Sequence, residues 1–429
     1  MPILSPCTVI RPEPGGALLF QQETAETALL DLEGLDALYL LLKGELRDYP
    51  VFFISYLRTH RFVVEGPSDG LLERVAEVRD AAPTTTAPRR ALVAPETIHF
   101  SVTGRCDQAC AGCFYSARPG STVTPNDAPF ELFERVVHQA AEARVFQIAM
   151  GGGEPLLHPR LLDMVRLARH SRIVPNLTTN GNLLTIEMAA ALKEAGLGQV
   201  QISLNGASEE TNSATRPNFA AALRAVKACQ AVGLRFGLNV LLTRSSLPDL
   251  EAVVRLGQQM GATTVNLLRP KPPTTEDDWL ERESPTAMDY QKIQAVLKRL
   301  QISGSRSVPE TRLTIDASLT FLLTHRSPQA LYRAGVWGCS AARRFVTVTQ
   351  DGDVLPCSHV RWSDVRDGDV MHAWYESATL ARFRGLEEQT HGPCRACDYL
   401  SLCRGCPAVV MACGGDFGNS DPHCPRQLG

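Results

Sequence analysis

The chain has 429 residues, 44% of them apolar and 21% charged, with a formal charge of -3. This composition excludes wholesale disorder, collagen-like repeats and a coiled-coil rod, and the length suggests roughly two to four domains. The charge speaks against a basic nucleic-acid binder and a polybasic membrane contact; no apolar run is long enough to span a bilayer, no secretory signal pattern opens the chain, and a cytoplasmic protein is expected.

Residues 1 to 80 read as a small separate domain. Thr8–Arg11 and Ala17–Phe20 flank Pro14-Gly15-Gly16, the pattern of a hairpin. Leu35, Leu38, Leu41 and Leu42 follow at helical spacing, Val51–Leu57 reads as a second helix, and Phe62-Val63-Val64 as a closing strand. Two strands, helices and a strand suggest a winged-helix-like unit. Residues 1 to 66 carry five Lys and Arg against nine Asp and Glu. An acidic unit repels phosphates, so a protein or peptide partner is expected rather than DNA.

Residues 81–96, with three prolines and three threonines, have the composition of a linker. Six strands are then expected, at Ile98–Val102, Phe146–Met150, Val174–Thr178, Val200–Leu204, Phe236–Leu242 and Thr264–Leu268. Amphipathic helices alternate with them; Phe130, Phe133, Val136, Val137 and Ala140 mark one helical face. Such β-α units imply a parallel sheet with right-handed crossovers, closed fully or partly into a barrel, with ligands at the C-terminal ends of the strands. Residues 271–335 read as a bridge with a helix at 288–301. From about 336 helical periodicity fades and cysteine rises, which predicts a region with little apolar core, held by metal.

The thirteen cysteines are unevenly spread: three lie at 106, 110 and 113, eight lie between 339 and 424, and only Cys7 and Cys229 stand apart. Clustered thiols in an intracellular chain point to metal or redox chemistry. Cys229 falls within a helix and reads as a small buried hydrophobe. Cys106-x3-Cys110-x2-Cys113 sits just after the first barrel strand. Three thiolates on one loop bind three corners of a cubane iron-sulfur cluster and leave one iron open. Zinc is the alternative, and it needs a fourth ligand; His99 is a weak candidate.

This spacing, with the aromatic Phe114 following, resembles the radical S-adenosylmethionine (radical SAM) superfamily. The resemblance implies a partial (β/α)6 TIM-type barrel over 97–270, S-adenosylmethionine (SAM) and one SAM-binding [4Fe-4S] cluster on Cys106, Cys110 and Cys113. It also implies that one electron from the cluster splits SAM into methionine and a 5′-deoxyadenosyl radical, which abstracts hydrogen from the substrate. Gly151-Gly152-Gly153-Glu154 after the second strand resembles the family motif that holds the SAM amino group, through Glu154. Thr179 and Asn180 after the third strand, Ser203 and Asn205 after the fourth, and Arg216 resemble positions that touch the ribose or methionine. Asn239 with Val240, and Leu268 with Arg269, fall near the adenine by the same resemblance.

The C-terminal cysteines follow the order Cys339, Gly352-x4-Cys357, Cys394-x2-Cys397-x5-Cys403-x2-Cys406, Cys413 and Cys424. Paired Cys-x2-Cys knuckles are a strong metal signal, with zinc ribbons as the plain alternative. The order resembles the SPASM extension of radical SAM enzymes, which implies two auxiliary iron-sulfur clusters, here over 336–429. One would use Cys339, Cys357 and Cys406, the other Cys394, Cys397, Cys403 and Cys424. Either Cys413 completes the first, or one of its irons stays open. The family run ends in Cys-x3-Cys where this chain has Cys403-x2-Cys406.

The N-terminal unit resembles the PqqD-like element that recognises leader peptides by adding them as a strand to a sheet edge. Together these resemblances imply a radical SAM/SPASM oxidoreductase that matures a ribosomally synthesised precursor peptide (a RiPP maturase) by forming a cross-link or other oxidised bond. They imply an electron donor such as flavodoxin or ferredoxin, and neither nucleic acid nor membrane as partner. The alternative is modification of a tetrapyrrole or quinone-type cofactor precursor, which has no need of residues 1–80.

Overall fold

A computed structural model describes residues 2–45, 50–67, 71–115, 119, 126–217, 219–273, 278–302 and 311–428; parts of the expected bridge, 274–277 and 303–310, lie outside the described residues. Strand β1 (Pro2–Leu4) is followed by β2 (Thr8–Glu13), β3 (Gly16–Gln21) and β4 (Glu26–Asp31). The expected hairpin is present as β2 and β3, in the register Val9 opposite Phe20 and Arg11 opposite Leu18. β4 extends it to three antiparallel strands. Helices Leu32–Lys43, Val51–Thr59 and Leu71–Ala81 cover the sheet, and β5 (Val63–Glu65) returns to pair with β1. β4 and the helix Leu71–Ala81 are additions to the expected unit.

This N-terminal unit packs on the barrel. Phe20 stacks on Phe146 with ring centroids 5.0 Å apart, among Val9, Leu18 and Val174. The buried Arg11 donates from Nη1 to the carbonyls of Pro95 (3.0 Å) and Arg144 (3.3 Å), and its Nε donates to Glu13 (2.9 Å). The expected linker has one short 3-10 turn, Ala82–Thr84, and is then pinned in place: Val93 donates its N–H to Glu13 and Leu92 accepts the indole N–H of Trp374.

The six expected strands are β6 (Thr97–Thr103), β7 (Gln147–Gly152), β8 (Val174–Thr179), β9 (Gln199–Ser203), β10 (Phe236–Leu241) and β11 (Thr264–Leu268). They run parallel in sequence order. Three more join them: β12 (Arg312–Ile315) from the bridge, parallel to β11, then β13 (Phe345–Val348), parallel to β6, and β14 (Val354–Leu355), antiparallel to β13. Among the described residues the nine-stranded order β12-β11-β10-β9-β8-β7-β6-β13-β14 leaves β12 and β14 unpaired on their outer sides, so the barrel is partial. The helix Phe130–Glu142 buries Phe133, Val136, Val137 and Ala140 on the sheet, with Phe133 edge-on to Phe100 at 5.0 Å. The bridge helix spans Ala287–Ile302.

The expectation of a C-terminal region with little apolar core does not hold. Val370, Trp374, Leu380, Phe383, Leu386 and Val409 are buried in the same apolar cluster as the barrel strands. Burial of large side chains thus anchors residues 345–390, and only the short turns beyond 391 are dense in cysteine. No helix among the described residues is long and apolar enough to cross a membrane.

Candidate functional site

Strands β6 to β11 all end at one rim, and a cavity of about 260 Å3 opens there. The loop after β6 brings Cys106, Cys110 and Cys113 to its wall, with Phe114 beside them. Two glycines after β7 make that placement possible. Gly153 donates its N–H to Thr103 O (2.7 Å) and Glu154 donates to Arg105 O (2.7 Å), stitching one loop to the other. A Cβ on Gly153 would stand 2.0 Å from Arg105 O, and one on Gly152, at φ +113°, 2.4 Å from Thr103 O. Only bare backbone can approach so closely.

Glu154 is 1% exposed. Its carboxylate accepts from Thr179 Oγ1 (2.7 Å) and the backbone N–H groups of Asn180 (2.8 Å) and Leu156 (3.1 Å). Burial nevertheless pushes its carboxyl up to about 7, against the pull of those donors. A buried carboxylate in a cavity wall is a seat for a cation. Burial also pushes the Cys106 thiol up to about 11, and raises Cys110. A positively charged metal centre would offset that cost.

The other walls come from successive strand ends. Asn180 donates from Nδ2 to Asp107 Oδ1 (2.7 Å), fixing the cysteine loop from the β8 side. Arg216 donates from Nη1 to Gln108 Oε1 (3.4 Å), while its buried Nε has no partner among the described residues. Asn205 is held at both ends of its amide: Nδ2 donates to Thr215 Oγ1 (2.9 Å) and Oδ1 accepts the N–H of Leu241 (3.0 Å). It therefore braces the wall. Asn239 accepts the amide of Asn266 (2.9 Å), and Ser203 is 8% exposed at the rim of β9. All of these, with Thr178 and Leu268, line the cavity; Val240 points into the core. His99 stacks on Phe345 at 4.8 Å and does not line the cavity.

Three lining residues carried no signal of their own in the sequence. Lys271, in the proline-rich start of the bridge, donates to Asp316 Oδ2 (2.6 Å) and Ser318 Oγ (3.2 Å). Asp316 follows β12, and the ammonium of Lys271 holds its carboxyl well below the usual range despite burial. His359, two residues after Cys357, sets its ring against Phe114 at 4.4 Å. Arg269 lines the cavity as well, and its guanidinium makes a bidentate pair with Asp421 (2.6 and 2.7 Å). Asp421 in turn accepts the N–H of Cys406 (3.0 Å), so the rim of β11 is bonded directly to the C-terminal thiols.

Those thiols fall into two sets. Cys394, Cys397, Cys403 and Cys424 line one pocket under Tyr399 and Arg426. Cys339, Cys357 and Cys406 are near enough for their charges to act on one another, and burial pushes Cys357 up to about 12. Cys413 is exposed; the charges that act on it are Arg269, Asp421 and Glu281, with no cysteine among them. Cys229 is buried in the barrel core. Among the described residues no three His, Cys, Asp or Glu side chains converge on the spacing of a single ion. A cubane cluster asks its thiolates to surround a volume instead.

Residues 100–257 match the model of the radical SAM superfamily, and residues 339–407 match SPASM, an iron-sulfur cluster-binding domain. The chain is 30% identical over 362 residues to the mycofactocin maturase MftC of Mycobacterium ulcerans, covering 81% of this chain and 94% of that protein. It is 26% identical over 355 residues to the PqqA peptide cyclase of Ruegeria pomeroyi, covering 79% of this chain and 90% of that protein. The fold is similar to that of Streptococcus suis SuiB bound to SAM, with a TM-score of 0.75 at 18% identity over 98% of this chain and 99% of that one. The same SuiB fold has been solved with its precursor peptide SuiA, at a TM-score of 0.73, 16% identity, and 99% and 100% coverage. The chain therefore belongs to the radical SAM superfamily, enzymes that use SAM and a [4Fe-4S] cluster, and carries a C-terminal SPASM domain for auxiliary iron-sulfur clusters.

Proposed function

We propose that this chain is a radical SAM/SPASM maturase that oxidises a residue of a ribosomally made precursor peptide, holding the leader of that peptide on its N-terminal domain. When bound, SAM and the reduced cluster supply a 5′-deoxyadenosyl radical that removes a hydrogen atom from the substrate. In this reading Cys106, Cys110 and Cys113 hold the cluster, Glu154 receives the SAM ammonium and Arg216 its carboxylate. Thr179, Asn180, Ser203 and Asn239 shape the nucleoside side, and Asn205 keeps that wall in register. Cys394, Cys397, Cys403 and Cys424 hold a complete auxiliary cluster. Cys339, Cys357 and Cys406 hold the other, with its fourth corner free of cysteine. Forming a cross-link removes two electrons from the peptide; the first leaves with the abstracted hydrogen atom, and the auxiliary clusters that the C-terminal thiols would hold, joined to the cavity by Arg269 and Asp421, would take the second. A low-potential donor such as flavodoxin or ferredoxin supplies the first electron to SAM.

The observation that carries the peptide reading is the state of the N-terminal sheet. Its β2 edge is sealed: β2 is buried and Arg144 donates to Ile10 O (3.1 Å). Its β4 edge pairs, among the described residues, only with β3, and it faces a groove. Leu29, Phe52 and Tyr56 line one side of that groove, Tyr332 and Trp337 the other. Phe52 is 79% exposed and Leu29 63%. Arg90, Arg312, Arg333, Arg343, Arg344 and Arg404 also line the groove, and a free strand edge beside a groove with exposed apolar side chains is the arrangement that captures extended peptides. The relatives support the same reading, since MftC is named a maturase and PqqA cyclase a peptide cyclase, and SuiB has been crystallised with a precursor peptide.

The N-terminal unit touches Phe146, Val174 and Arg312, at the starts of the strands, whereas the cavity lies at their ends. A peptide held at β4 must therefore cross the height of the barrel, about 20 Å, or at least about six extended residues, between leader contact and reacting residue. The test is anaerobic incubation of the iron-loaded enzyme with SAM, a reductant and the short peptide encoded beside its gene. A change in peptide mass that tracks deoxyadenosine formation is expected. Deoxyadenosine without any change of mass, for every adjacent short reading frame, overturns the peptide reading.

A further inference from the structure

We propose that Trp279 donates a hydrogen bond from its indole N–H to the iron-sulfur cluster of the Cys106, Cys110 and Cys113 loop, and so makes that cluster easier to reduce. The proposal rests on the assignment of that cluster to this loop.

Trp279 belongs to the bridge, far from the cysteine loop in sequence. It opens the short helix Trp279–Glu283 and is 2% exposed. That helix is fastened to the loop after β10: Arg244 donates its N–H to Glu283 O (2.8 Å), and Ser245 Oγ donates to the Glu283 carboxylate (2.7 and 2.9 Å). The ring is therefore held from behind.

Its face rests on Gly112, the residue directly before Cys113. A Cβ built on Gly112 would lie 2.0 Å from Trp279 Cε2, 2.2 Å from Cζ2 and 2.3 Å from Cδ2, and Gly112 has φ +64°. Glycine is thus required there both by its backbone and by the ring seated on it. Cε2, the nearest ring atom, is bonded to Nε1, so the indole N–H lies beside the peptide that joins Cys110 to Cys113.

That N–H is buried and has no acceptor among the described residues. Trp374 shows the usual arrangement, donating to Leu92 O at 2.8 Å. An orphaned buried donor is costly, and buried indoles usually find a partner. The acceptors missing from this corner are the ones iron would bring: thiolate sulfurs stripped of their protons, and the inorganic sulfides of the cubane. Hydrogen bonds to cluster sulfur stabilise the more negative, reduced state and raise the reduction potential. Trp279 acts through the cluster, so it is a positioning residue.

The experiment uses full-length, iron-reconstituted enzyme labelled with 15N in the indole nitrogens. Electron–nuclear double resonance is recorded on the reduced cluster whose signal shifts when SAM is added. An indole 15N coupling and an exchangeable proton are expected. Both persist in Trp337→Phe and Trp362→Phe and vanish in Trp279→Phe, which keeps an aromatic ring. In Trp279→Phe the reduced-to-oxidised ratio at a fixed potential falls about fivefold, the share of a charge-assisted hydrogen bond that differs between redox states. Iron content and SAM binding stay at the parent level. No indole coupling in the parent enzyme, or a Trp279→Phe titration superimposable on the parent, overturns the proposal. If Trp279→Phe does not assemble, the parent spectrum and the two other variants still decide it. Should Cys106→Ala leave the SAM-responsive signal intact, the loop assignment itself is wrong, a result distinct from a missing coupling.

Discussion

The rim of the barrel and the turns beyond residue 391 both gather thiols, yet they are built in opposite ways. At the rim three cysteines hang on a loop stitched to Gly153 and Glu154, and the parallel sheet beneath is packed by apolar side chains. Beyond 391 six cysteines lie in or beside elements of four to six residues, Gly392–Ala396, Leu400–Cys403, Pro407–Ala412 and Pro425–Leu428, and four of them line one pocket. Elements that short have no cooperative stability of their own. The difference teaches where chemistry and where cohesion reside. A site one ligand short, in a wall with a buried carboxylate, is suited to bind and react. A complete set of four on weak elements is suited to hold the chain together and to relay charge.

The sharpest way to break this comparison is to remove one thiol from each region. Cys106→Ala is expected to reduce deoxyadenosine formation to background while leaving the thermal unfolding midpoint nearly unchanged. Cys394→Ala is expected to lower bound iron by about four atoms per chain and to depress the unfolding midpoint, while SAM is still split. Iron analysis, calorimetry and product chromatography on the two variants check both. Equal loss of stability in the two would erase the distinction.

The next largest effect concerns the joint between the regions. Arg269 and Asp421 are each 1% exposed, and their pair is the direct bond from the β11 rim to the Cys406 turn. Asp421→Asn leaves a buried guanidinium without its counter-charge, a loss of about 3–5 kcal/mol. Urea unfolding should show it, and the C-terminal region should become sensitive to protease before the barrel does. A cooperative transition at an unchanged midpoint would mean the two regions do not depend on this pair.

Glu154 gives a third, pH-dependent handle. Its carboxyl sits at about 7 in the folded enzyme, above its ordinary value, because burial outweighs its three donors. Its contribution is thus fully present below the unfolded value near 4.5 and is lost as pH rises through 7. The SAM-free enzyme should lose about 3 kcal/mol over that window. Glu154→Gln is expected to flatten this slope and to stabilise the SAM-free enzyme at pH 8, while SAM affinity falls steeply. Urea titrations at pH 5 and pH 8 with both proteins read the slope; a slope retained in Glu154→Gln assigns it to another group.

Much of this site was legible beforehand because its parts are local. Cys106, Cys110 and Cys113 lie within one loop, Gly152, Gly153 and Glu154 within one turn, and strand periodicity put both at the same end of the sheet. What stayed hidden depends on contacts between distant segments. Lys271 and Asp316 meet only because β12 joins the sheet edge. Trp279 reaches Gly112 from the bridge, and Arg269, in the cavity wall, is tied to Asp421 from the far end of the chain. The apolar anchoring of 345–390 stayed hidden for a similar reason: Trp374, Leu380 and Phe383 complete the barrel's core, whose other members lie far away in sequence. The strand β4 alternates exposed and buried residues, Leu29 out and Leu30 in, and the period was present but short.

The smallest expected effect lies at the groove, where the peptide reading separates from the chemistry. Phe52 is 79% exposed on the helix Val51–Thr59 and lines the groove. Such a side chain contributes little to folding, because its apolar surface is wet in the folded state. On a bound leader the same surface is covered, and truncation of one apolar anchor costs about 1.4 kcal/mol, or about tenfold in affinity. Phe52→Ala is therefore expected to weaken leader binding about tenfold by fluorescence anisotropy, with unchanged stability and unchanged peptide-independent cleavage of SAM. At saturating precursor the rate of modification should return to the parent level, since the barrel rim is untouched. Recovery at saturation is the discriminating point. A defect that persists there places Phe52 in the reaction path, and undiminished affinity moves the leader off the β4 edge.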